Sequence, residues 1–128
     1  MAANVAANIN PADVVRDALN IVGLNNNGNV NTRQTTRFMI ANQLDEIDDF
    51  MSLHPLQVKE MVKQYQRVAG ATPMGIKAQN NLQGLIWYAR DRARRSLTIN
   101  VGDLNEDLLN ESREIMKCTS RITRMDKR

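Results

Sequence analysis

Apolar residues recur at helical spacing along most of this 128-residue chain, and the clearest case lies between Gly75 and Arg95. There Ala78, Leu82, Leu85, Ile86, Ala89 and Ala93 gather on one stripe at about 3.6 residues per turn, which predicts a long amphipathic helix. Trp87 falls nearly opposite that stripe, beside Arg90, Asp91 and Arg94, while Tyr88, Arg92 and Arg95 form a second polar sector. A helix with a buried stripe and aromatic and arginine side chains elsewhere is suited to meeting something.

The same pattern predicts an earlier helix with Asn10 as its cap and Pro11 in its first position. Its stripe is Val14, Val15, Ala18, Leu19 and Val22, and Gly23 stops it. The first nine residues read as a flexible arm. Asn25 to Asn29 has the composition of a turn. Asn31, with Gln34 reaching back to it, predicts the start of a helix that holds Phe38, Met39 and Ala41 and ends near Asn42. A short acidic helix follows, turning Leu44, Ile47, Phe50 and Met51 inward. His54 and Pro55 open the next, with Val58, Met61, Val62 and Tyr65 on its stripe and His54 as a cap. The last helix is expected over residues 103–122, with Asp103 and Glu106 as a capping box and a basic tail over 123–128. Asp107 in its first turn, and Lys117, Arg121 and Arg124 toward its last, match the helix dipole. Val101, Leu108, Ile115 and Ile122 recur every seven residues, but the second seam position of a heptad is not apolar. No strand pattern persists; Ser96–Val101 alternates too briefly. The expectation is an all-α single domain of five or six helices over residues 10–128, with a long central and a long C-terminal helix.

Composition narrows the function. The core must rest on Leu, Ile, Val, Ala and seven Met, since there are only two Phe, two Tyr and one Trp. Cys118 stands alone and cannot form an internal disulfide, which points to a reducing compartment. One histidine and one cysteine give no spacing that would hold zinc, and neither is set among catalytic partners. No catalytic residue, cofactor or metal is therefore expected. No apolar run approaches a membrane span, and no basic-then-hydrophobic leader opens the chain, so neither a membrane segment nor secretion is expected. The cytoplasm, the nucleus or the inside of a virus-like particle is the expected location.

Charge is divided along the chain. Residues 1–60 carry four Lys/Arg against seven Asp/Glu, or −3, and residues 61–128 carry thirteen against seven, or +6. The two halves can attract one another within a chain or between copies, and the basic half can attract phosphates. Arg90, Arg92, Arg94 and Arg95, joined by Arg121 and Arg124, are candidates for contact with RNA or DNA without sequence preference. Gly75 and Lys77 add a turn that resembles the second half of a helix-hairpin-helix, where backbone N–H groups meet a phosphate. Met74 stands where that motif has its first glycine. Gly84 costs about 1 kcal/mol inside a helix unless another backbone comes close. That backbone belongs either to a second copy, with Trp87 as anchor, or to the chain's own last helix. Candidate interface residues are thus Gly84, Trp87, Tyr88, Leu108, Ile115 and Ile122.

Asp48, Asp49, Phe50, Leu53 and Val58, followed by Ala78, Asn81, Leu82, Arg90, Asp91, Arg95 and Ser96, resemble a helical domain in gag-like proteins. Those proteins belong to copia-type retroelements of diatoms and other marine microbes. The resemblance covers about half of the chain, and its motifs are structural ones. The short-helix-then-hairpin order is also similar to SAM-type domains, which polymerise or bind RNA. What both resemblances imply is a gag-capsid-like or SAM-like fold in a self-associating structural protein, one that coats or packages nucleic acid. The reading that competes with assembly is a nucleic-acid-binding module; a small adaptor for a protein partner is the third.

Overall fold

Capping chemistry sets where the helices of this chain begin and end. The computed structural model describes residues 10–126, with side chains as far as Cys118. Helix α1 spans Pro11–Val22: the Asn10 side chain accepts the Ala12 N–H at 3.0 Å, and Gly23 closes the far end at φ 129°. The Leu24 N–H then returns to the Leu19 carbonyl at 3.0 Å, which tucks Leu24 into the core.

Helix α2 spans Gln34–Asn42 with Arg33 at its cap position, two residues later than Asn31 suggested. Gln34 does not reach back to Asn31. Its amide oxygen accepts the Asn25 N–H at 2.8 Å and its nitrogen donates to the Thr72 carbonyl at 3.3 Å. The side chain that looked like a capping partner instead pins the asparagine-rich loop. At the other end Asn42 donates to the carbonyls of Phe38 and, at 3.0 Å, Met61, tying α2 to the helix after it.

The acidic segment forms a 3-10 helix over Ile47–Ser52, with Phe50 fully buried and Ile47 and Met51 partly covered. Two of its backbone N–H groups, those of Asp45 and Glu46, are accepted by the Asp49 carboxylate. A further 3-10 turn, Pro55–Gln57, leads into α3, Val58–Gln66. His54 is the cap that the sequence implied: its Nδ1 accepts the Leu56 N–H at 3.1 Å. Val58, Met61, Val62 and Tyr65 are all buried.

Helix α4, Ile76–Arg94, is the long central helix, and its buried face is Ala78, Asn81, Leu82, Gly84, Leu85, Ile86 and Ala89. Ala93 was expected on that stripe but is exposed, as are all residues from 93 to 98. Asn81, only 1% exposed, donates to the Val22 carbonyl at 2.9 Å and so joins the end of α1 to the middle of α4. After α4 the chain turns at Ser96 (φ 58°), buries Ile99 and Leu104, and passes through a 3-10 turn at Val101–Asp103.

Helix α5 spans Glu106–Asp126. Its cap is Asn105, whose Oδ1 accepts the Leu108 N–H at 2.8 Å, and not the Asp103–Glu106 box. Asp103 belongs to the preceding 3-10 turn, and Glu106 faces Lys77 at 3.5 Å. The contacts between α4 and α5 advance together: Lys77 with Glu106, then Gly84 with Leu109, then Trp87, Asp91 and Arg94 sharing one cavity with Ser112 and Ile115. The two helices therefore run in the same sense, and the segment between them is the return crossing. The first nine residues, and the side chains of Arg121, Ile122 and Arg124, lie outside the described residues. The result is an all-α domain of five α-helices and three short 3-10 segments with no strand among the described residues. Among them, no helix is long and apolar enough to cross a membrane.

At Gly84 the backbones of α4 and α5 come into close approach. A Cβ placed on it would lie 2.0 Å from the Leu109 carbonyl oxygen, so only glycine admits that approach. The backbone that repays the mid-helix glycine is thus the chain's own, and Gly84 is not open to a second copy. Gly84→Ala is expected to lower the unfolding free energy by about 2–3 kcal/mol in urea denaturation. An exposed helical glycine would gain about 1 kcal/mol from the same change, so an increase would contradict this packing.

Candidate binding groove

Beyond the close approach at Gly84, α4 and α5 leave a groove of about 630 Å³. Helix α4 supplies Trp87, Tyr88, Arg90, Asp91, Arg94 and, just past its end, Arg95; α5 supplies Ser112 and Ile115; the acidic 3-10 helix supplies Met51. Each member follows from local structure. Residues 87, 90, 91 and 94 share one face of α4 at steps of three and four, as the sequence pattern required. Ile115 lies two turns beyond Leu108 on α5 and is 50% exposed.

The arginines play different parts. Arg90 donates from Nη1 to the Leu53 carbonyl at 2.8 Å and is partly buried, which anchors the loop before α3 against α4. Arg94 and Arg95 both reach the Asp91 carboxylate, at 2.6 and 3.3 Å, while their side chains remain 74% and 62% exposed. Asp91, with a side chain 26% exposed, thus holds two forks at the lip of the groove without neutralising the site. Arg92 leaves the cluster: its Nε donates to the Thr98 carbonyl at 2.8 Å and its guanidinium lies 5.8 Å from the centre of the Tyr88 ring.

The remaining candidates are scattered. Gly75 and Lys77 sit at the opposite end of α4, about 25 Å from Arg94 along a helix rising about 1.5 Å per residue. Lys77 is paired there with Glu106. Gly75 is the exposed cap residue of α4, and no side chain caps that end. The turn and the arginine cluster are therefore two places, not one phosphate track. Leu108 is half-buried against the core. The face of α5 that packs on α4 is Leu109 and Ser112, which the seven-residue spacing passed over. Ser112 and Met51 were not read as groove residues. Met51 carried only an inward-facing signal, and Ser112 becomes visible once Gly84 is matched to Leu109.

Among the described residues no cluster of three His, Cys, Asp or Glu is arranged to hold a metal ion. No family model matches the chain, and neither the curated proteins nor the solved structures contain a match to it.

The different roles of the arginines have a direct consequence. Arg90→Ala is expected to cost about 1–2 kcal/mol, because it strands a partly buried carbonyl. Arg94→Ala is expected to stay within about 0.5 kcal/mol, as exposed ion pairs contribute little. Urea denaturation of the two variants measures the difference, and equal losses would contradict the assignment.

Proposed function

We propose that the chain is a non-enzymatic structural module that self-associates, and that the α4–α5 groove is the surface it uses. The observation that carries this reading is the composition of the groove: Trp87, Tyr88, Met51 and Ile115 with three arginines and no lysine. Protein interfaces concentrate aromatic, methionine and arginine side chains at their energetic centres and deplete lysine there. Trp87 is half-buried before any partner arrives, so little of its side-chain freedom remains to be lost on binding. The resemblance to gag-like and SAM-type helical domains supports the same reading. The groove's one carboxylate is shared by two arginines, and the only imidazole is engaged as a cap, so the site is suited to holding a surface rather than moving protons. The exposed thiol of Cys118 fits a reducing interior, whether cytoplasm, nucleus or virus-like particle.

A second reading, nucleic-acid binding, is favoured by the exposure of Arg94 and Arg95 at the lip of the groove. Though both are paired with Asp91, their side chains stay open to phosphates, while Trp87 and Tyr88 offer faces for bases. Light scattering coupled to gel filtration, at low and high salt and with and without a generic RNA, separates the readings. Self-association predicts a defined particle that forms without RNA and is lost in Trp87→Ala. Nucleic-acid binding predicts particles that need RNA, dissolve in salt and are lost in the Arg94→Glu, Arg95→Glu double variant. A monomer under every condition would overturn both and leave an adaptor for another protein.

A further inference from the structure

A second cavity, of about 530 Å³, lies between α1 and α2 on a part of the molecule that the groove does not reach. Arg16 of α1 lines it and is only 8% exposed. A guanidinium has five N–H donors. Among the described residues this one makes a single hydrogen bond, to Asp13, and its Nε is buried without a partner. Asp13 compensates the charge weakly, since its side chain is 60% exposed and faces water. The Thr36 hydroxyl, on the α2 wall of the same cavity, is also buried and unpartnered. Two polar groups left short of acceptors at one cavity are unusual in a folded chain, where buried donors are normally satisfied.

We infer that this cavity binds a monocarboxylate carried on a short apolar chain. The Nη donors that Asp13 does not take can meet a planar anion, the arrangement in which arginine binds carboxylates most strongly. Around it Ala12, Met39, Ile40 and Leu44 supply apolar wall, beside the polar Thr36, Gln43 and Asp45. Ile40 is 69% exposed and adds apolar surface beside the cavity. Among the described residues no second cation lines the cavity, and Asp45 does, so a dianion such as phosphate is disfavoured more strongly than a single carboxylate with an apolar tail.

The test is a two-dimensional NMR titration of the whole chain with hexanoate, using hexanol and inorganic phosphate as controls. Hexanoate is expected to give saturable shifts centred on Met39, Ile40 and Leu44, while neither control saturates over the same range. Arg16→Gln is expected to weaken hexanoate binding by about tenfold or more. Where that variant fails to fold, Ile40→Glu, at an exposed position, places a like charge at the mouth and is expected to weaken binding likewise. Hexanoate shifts that are absent, or binding that neither variant weakens, would overturn the inference.

Discussion

The constraint on which the rest of this domain depends is the approach of the Leu109 carbonyl to the space where Gly84 has no side chain. Two helices that meet backbone to backbone gain close contact along their whole crossing, and α5 has few other attachments. Beyond Leu104, only Leu109 and Ser112 of the described C-terminal residues are buried. If α5 were held further off, Leu109 would lose its enclosure. The glycine's cost in helix propensity is offset at that one point.

Fixing α5 there also makes the groove. Past Gly84 the two helices line one cavity, and that end of α4 carries Trp87 and the arginines. Asp91 then determines what the groove offers. By holding Arg94 and Arg95 at its lip it keeps two exposed cations beside an aromatic floor, where Coulomb repulsion between them would otherwise spread them apart. Arg90 is withdrawn into structure by Leu53, and Arg92 is diverted to Tyr88 and Thr98. A row of four arginines in sequence becomes two available ones.

The helices were legible because local signals specify them: Asn10 and Pro11 at one start, Gly23 at one end, His54 at another cap, and the stripe from Ala78 to Ala89. What was misread depends on distant partners. Gln34 has the spacing of a capping residue, but Thr72 claims it, and no local rule anticipates a bond across 38 positions. Ala93 has the right phase for burial, yet it is exposed at the final turn of α4. Val101, Leu108 and Ile115 share a period that suggests a seam, while the surface of α5 that packs was set by the shape of α4 at Gly84. The groove shows the same division. The α4 face was readable from spacing alone, whereas Ser112 and Ile115 join it only through the parallel course of α5. The α1–α2 cavity left no trace in the sequence, because Arg16 looks like any solvated arginine until its surroundings close around it.

Trp87 is the chain's one tryptophan, so its fluorescence reports on the groove without labelling. The most direct measurement of whether the groove is the working surface is Trp87 emission, followed alongside particle size as concentration is raised. The account predicts that emission shifts to shorter wavelength in step with association, as a half-buried ring is covered by a second copy. Particles that form while Trp87 emission stays constant would place the working surface elsewhere on the molecule.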